Sequence, residues 1–184
     1  MSKQILFVIA SFRKKSFNYQ LARAAEEVLV SKGATVHYLD YKDLPYFDQD
    51  NEIPVLPAVQ SVRDAVQVAD AIWFFSPVYN YSIPGILKNL LDWLSRAIDL
   101  SNPKGPSAIH QKVTTVSSVA HDGHEALFDE FIKVLEFIRT KPVGKFTAAP
   151  VIPEEAWETD ELKISEETMN QLIHQVDALL VALM

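Results

Sequence analysis

The chain has 184 residues, 48% hydrophobic and 22% charged, with 17 Lys and Arg against 24 Asp and Glu for a net charge of −7. That profile fits one globular domain over residues 1–184 with a sizeable core. Net acidity argues against nucleic acid or an anionic membrane as partner, the lack of Cys removes disulfides, thiol nucleophiles and Cys-ligated metals, and no apolar run approaches the ~18 residues of a membrane span.

The N-terminus shows no basic region followed by an apolar stretch and a small-residue cleavage site, so the expected location is cytoplasmic. The first strand begins almost at once. Ile5 to Ala10 is an unbroken apolar run, the pattern of a strand buried on both faces. A polar segment follows, with hydroxyls at Ser11 and Ser16 and cations at Arg13, Lys14 and Lys15. Asn18 is placed to cap a helix whose Leu21, Ala22, Ala25, Val28 and Leu29 recur at helical spacing. Strand, basic hydroxyl-rich loop and helix N-terminus together make a cradle for an anion, with phosphate the expected occupant.

Residues 34–39 read as the second strand, entered through Gly33, and residues 40–57 as a long surface loop with three prolines. Val59, Val62, Ala65, Val66 and Ala69 mark a second helix. Residues 71–76 form another continuous apolar strand, followed by the loop 77–82. Pro84 opens a third helix running to about Ile98, apolar around much of its circumference. Residues 111–119 read as the fourth strand, 120–124 as a polar loop, 125–138 as an amphipathic helix and 143–148 as a fifth strand. Residues 153–164 read as an acidic solvated loop containing Trp157, and 165–184 as a last helix opened by Ser165. Alternating strands and helices imply an α/β fold with a five-stranded parallel sheet. In the order 2-1-3-4-5 the ligand crevice lies between strands one and three, edged by the loops 11–17, 77–82 and 117–124.

Loop 11–18 has neither the spaced glycines of a dinucleotide fingerprint nor the Gly-Lys-Ser of a P-loop. Loop 77–82 sets two aromatics, an amide and a hydroxyl at a strand end, groups able to flank a heteroaromatic ring or simply to pack on neighbours. Loop 117–124 contains Ser, His and Asp, but no nucleophile elbow. Its two His and one Asp are too close in sequence to converge on one ion, so no metal is expected.

Two stretches carry a family resemblance. Ala10, Ser11, Arg13, Ser16 and Asn18 follow a Gly-Ser-x-Arg-x-x-Ser-x-Asn pattern, and Pro77 through Trp93 follows Pro-Glu-Tyr-Asn with Ser-Ile-Pro-Gly-x-Leu-Lys-Asn-x-x-Asp-Trp. Both resemble the NADPH-dependent FMN reductase family of flavodoxin-like quinone, azo and chromate reductases. The chain departs from the pattern at Ala10, at Val78 and in a third loop with the single glycine Gly123.

The resemblance implies a flavodoxin-like three-layer sandwich binding FMN. Ser11, Arg13, Ser16, Asn18 and the N–H of Phe17 would hold the phosphate. Pro77, Val78, Tyr79, Asn80 and Tyr81 would line one edge of the rings, and Ser117, Ser118, His121 and Gly123 the pyrimidine end, where His121 would meet negative charge. NADPH or NADH would supply hydride, and a small acceptor (quinone, azo compound, free flavin or metal oxyanion) would receive it. A flavodoxin-type electron carrier and a flavin-free interaction module are the alternatives. The apolar girth of the third helix points to a homodimer or tetramer with Trp93 near the seam, the alternative being a helix well buried in the monomer.

Overall fold

The computed structural model describes residues 2–148 and 151–184. Its centre is a parallel sheet of β1 (Gln4–Ile9), β3 (Ala71–Ser76) and β4 (Val113–Ser118), with β2 (Thr35–Tyr38) at one edge. The far edge holds two short strands, β5 (Lys141–Pro142) and β6 (Thr147–Ala148), and the order is 2-1-3-4-5 with β6 also on β4. Phe7 lies opposite Trp73, and Trp73 opposite Thr115.

Strand side chains alternate between two cores. Ile5, Phe7, Trp73 and Phe75 face α1 (Phe17–Ser31) and α6 (Glu166–Val181). Leu6, Val8, Ile72 and Phe74 face α2 (Pro57–Val68), α3 (Gly85–Ser95) and α4 (His124–Phe137). Burial of each such side chain contributes about 1.5–3 kcal/mol. On the first face Phe7 packs on Trp73 and Phe75 at ring-centre distances of 5.7 and 4.8 Å.

Three expectations need correction. The fifth strand does not run unbroken over 143–148: pairing starts at Lys141, and Val143 still donates to the carbonyl of Thr114 (2.9 Å). Gly144, at φ 72°, then turns the chain out of the ladder until Thr147. Residues 153–164 are not wholly a loop, since α5 (Glu154–Thr159) forms there. Finally, the burial of Trp93 does not call for a subunit seam. It is 1% exposed in the single chain, donates from Nε1 to the carbonyl of Pro45 (2.8 Å) and meets the Phe47 ring edge-on at 4.9 Å. Asn89 adds a second tie, donating to Pro45 and accepting from the Phe47 N–H. The long loop 40–57 thus covers the outer girth of α3, and that girth no longer argues for a homodimer or tetramer.

A buried polar cluster links α6 to β4. Gln175 donates to the Thr115 hydroxyl (2.6 Å) and the Val116 carbonyl (2.7 Å), and its Oε1 accepts from Ser117 (2.9 Å). Ser117 in turn accepts from the Trp73 indole N–H (3.1 Å). Gln175→Leu strands these buried partners and is expected to cost about 1–3 kcal/mol. Urea unfolding should show it as a lowered midpoint with an unchanged slope.

Candidate functional site

The carboxyl ends of β1, β3 and β4 open onto a cavity of about 430 Å³, within the range of about 300–1,000 Å³ common for small-molecule sites. Its first wall is the turn after β1. Ala10 stands where the family pattern has glycine, yet its N–H donates to Phe75 O (2.8 Å) and its φ is not positive, so the substitution carries no strain. Ser16, not Asn18, caps α1: its hydroxyl accepts from the Tyr19 N–H (3.3 Å) and remains free to donate. Asn18 lies one residue inside the helix. Its Nδ2 donates to Val119 O (3.0 Å) and its Oδ1 accepts from Val119 N (2.9 Å), joining α1 to the chain leaving β4. The N–H groups of Phe17 and Asn18 have no intrahelical acceptor and face the cavity end of the macrodipole.

Arg13 lies at this wall in a defined setting. Its guanidinium pairs with Asp160, donates to the Lys15 carbonyl, and stands 4.9 Å from the Phe17 ring and 5.2 Å from the Trp157 ring. Lys15 also reaches Asp160 (2.9 Å). The Lys15 hydrogen bond, then the two positive charges, hold the Asp160 carboxyl below the usual carboxylate range. Gln20 fixes the same segment, donating to Asp160 O and accepting from Leu162 N.

The second wall is the turn after β3. Tyr79 and Ser82 exchange backbone hydrogen bonds, and Asn80 (φ 54°) and Tyr81 (φ 60°) between them are both left-handed, as in a type I′ turn. Glu130 on α4 secures the turn, accepting from the Ser82 hydroxyl (3.1 Å) and the Ile83 N–H (3.0 Å). The Tyr81 hydroxyl crosses to Asp122 Oδ2 (2.9 Å), closing one side of the mouth, and that bond raises the phenol above its ordinary pKa. Gly123 caps α4 beneath this clasp at φ 80°, and a Cβ there would lie 3.0 Å from both Val78 and Tyr81. Only glycine suits both the backbone and the space.

The third wall is Val119, Ala120, His121 and Asp122, with Ile152 and Trp157 above. Trp157 donates from Nε1 to His121 Nε2 (3.1 Å), and the two rings lie 24° from parallel at 5.7 Å. Neutral His121 then carries its proton on Nδ1.

Ser11, Arg13, Ser16, Phe17, Asn18, the run Pro77 to Tyr81, and His121 therefore line one cavity. Ser117 and Ser118 do not. Both are buried within β4, because the fourth strand keeps its pairing up to Ser118, and the Ser117 hydroxyl is spent on Trp73 and Gln175. Gly123 lies under the cavity wall rather than in it. Ile152, Trp157 and Asp160 escape a reading of the sequence, since no local pattern announces which surface they meet.

A parallel 2-1-3-4-5 sheet with its cavity at the carboxyl ends of the central strands defines a flavodoxin-like domain. FerB, a flavoenzyme NAD(P)H:(acceptor) oxidoreductase from Paracoccus denitrificans, has the same fold, at TM-score 0.82 and 23% identity over 98% of this chain and 97% of that one. The chain matches the NADPH-dependent FMN reductase family over residues 4–154 and belongs to it. It is 38% identical to a quinone reductase of Pseudomonas putida over 63% of this chain and 59% of that protein. It is 41% identical to a probable NADPH:quinone oxidoreductase of Oryza sativa over 50% and 48% respectively. These alignments thus span about half the length of the curated relatives.

The Tyr81–Asp122 clasp has a defined pH signature. A phenol whose pKa is raised in the fold stabilises below the ordinary tyrosine value of about 10. That contribution is lost as pH rises through the raised value. Ring-labelled NMR should find Tyr81 titrating above a free tyrosine, and Asp122→Asn should return it toward the ordinary value.

Proposed function

We propose that the protein is an FMN-dependent NAD(P)H oxidoreductase that passes hydride equivalents to a small acceptor of the quinone type. The observation that carries this reading is the cradle at the N-terminus of α1 opening into the space between the Tyr79–Ser82 turn and His121. One end supplies N–H groups, hydroxyls and a guanidinium for a phosphate, and the other supplies polar and aromatic edges for a ring system. The family match and the quinone reductases among the relatives support the same class.

Bound FMN would supply the redox chemistry, taking hydride from the nicotinamide and passing electrons to the acceptor. The chain itself binds and orients. The N–H groups of Phe17 and Asn18 and the Ser11 and Ser16 hydroxyls would receive the phosphate oxygens, with Arg13 giving the charge-assisted bonds. Asn80, at the tip of a turn fixed by Glu130, presents its amide to the rings. His121, protonated on Nδ1 and held by Trp157, offers a donor where negative charge collects. Tyr79 and Trp157, 52% and 47% exposed, stand at the mouth, where a second planar molecule would enter. Dependence on NAD(P)H fits the cytoplasm, and among the described residues no helix is long and apolar enough to cross a membrane.

The protein as purified, or after addition of FMN, should show a flavin spectrum that NADPH bleaches without oxygen. It should also oxidise NADPH with a quinone and no partner protein, which a flavodoxin-type carrier would not do. Arg13→Ala should weaken FMN binding by about tenfold or more, the worth of a charge-assisted hydrogen bond. Full FMN retention in that variant would count against the phosphate assignment.

A further inference from the structure

A second cavity, of about 290 Å³, lies on the far side of the turn after β1. It shares Ser11 and Arg13 with the first, so one loop separates the two. Its floor is the carboxyl ends of β1 and β2, and its walls are Phe12, Tyr19, Tyr38 and Tyr41.

Two features distinguish it from an ordinary surface dent. The first is the disposition of charge. Of the three successive cations of the loop, Arg13 and Lys15 turn to Asp160, whereas Lys14 lines the second cavity with Lys42. Among the described residues neither Lys14 nor Lys42 makes an ion pair. The one carboxylate on the wall, Asp40, accepts the Lys42 N–H through Oδ1 (3.3 Å) and keeps Oδ2 free. In a chain of net charge −7 this is a local cationic site.

The second feature is a set of aromatic rings held in place yet accessible. Phe12, 39% exposed, packs on Tyr41 at 5.0 Å, and Tyr19, 42% exposed, on Tyr38 at 5.4 Å. The Tyr41 hydroxyl is anchored to Ile9 O (2.8 Å) and that of Tyr38 to Glu26 (2.7 Å). These rings offer a stacking surface that binding need not first order.

We infer that this second cavity holds the adenosine 2′-phosphate end of NADPH, the base against Phe12 and Tyr19 and the phosphate on Lys14 and Lys42. The inference rests on the proposed oxidoreductase activity. The strand order places β4, β3, β1 and β2 side by side, so the two cavities lie in line along one edge of the sheet. A dinucleotide laid along that edge sets its nicotinamide beside the Tyr79–Ser82 turn and its adenosine beside β2. Asp40 Oδ2 accepts from the adenosine 3′-hydroxyl, the one the 2′-phosphate leaves free, and the two lysines outweigh this single carboxylate, a reason to prefer the 2′-phosphate over a bare ribose.

Calorimetric titration of the FMN-loaded protein with 2′,5′-ADP tests this. Lys42→Glu and Lys14→Glu, both at surface positions, should each weaken binding about tenfold. They should raise the KM for NADPH by a similar factor and that for NADH by less than about twofold. Binding of 2′,5′-ADP no tighter than that of 5′-ADP, or indifferent to both substitutions, overturns the assignment. So does lysine-dependent binding that fails to compete with NADPH. A protein that takes no FMN yet binds 2′,5′-ADP through Lys14 and Lys42 would sink the oxidoreductase reading and leave the nucleotide site standing.

Discussion

The site depends on the two hydrogen bonds between the Asn18 amide and the backbone of Val119. An amide with one donor and one acceptor engaged on the N–H and C=O of a single residue fixes both position and orientation. It ties the first turn of α1, whose N–H groups lack intrahelical acceptors, to the third wall, which brings His121. Asn18 is buried, so the pair is shielded from competing water and a one-sided loss would leave polar groups unsatisfied. The first and third walls of the cavity are thereby held at a fixed separation.

A second set of contacts turns the loop after β1 into a shaped element. Three residues of the C-terminal third, Trp157, Asp160 and Leu162, meet that loop and α1 through stacking, charge and hydrogen bonding. Trp157 and Asp160 lie outside residues 4–154, the range matched to the family. Separate exposed ion pairs contribute little, but here the guanidinium also rests against the Phe17 and Trp157 rings, which meet each other edge-on at 4.9 Å. Asp160, in a left-handed conformation that Asp tolerates, brings its carboxylate back toward the loop.

The same loop has two faces. One serves the cavity over β1, β3 and β4, and the other the cavity over β1 and β2, with Arg13 lining both and Lys14 only the second. The long 40–57 segment starts at the second cavity with Asp40, Tyr41 and Lys42 and then runs across α3, where Pro45 takes the Trp93 indole. Its prolines and acidic residues look like solvent-facing sequence, while its Pro45 carbonyl satisfies two side-chain donors of α3, those of Asn89 and Trp93. This is why a helix apolar around its girth needs no second subunit to bury Trp93.

Much was legible before any coordinates. Unbroken apolar runs at 5–10 and 71–76 dictated strands buried on both faces, and helical spacing from Leu21 to Leu29 dictated α1. The hydroxyls and cations between them, and the 77–93 pattern, marked the loops that form the first two walls of the cavity. These signals are local: periodicity, capping and turn chemistry act over a few residues. Tertiary structure alone decided that Asn18 would meet Val119 rather than cap a helix, and that Arg13 would meet Asp160, partners 101 and 147 residues away. It alone buried Ser117 and Ser118 in β4 and brought Trp157 to the cavity mouth. A hydrogen bond or ion pair between distant segments is chosen by which surfaces the packed core brings together, and no spacing along the chain encodes that choice.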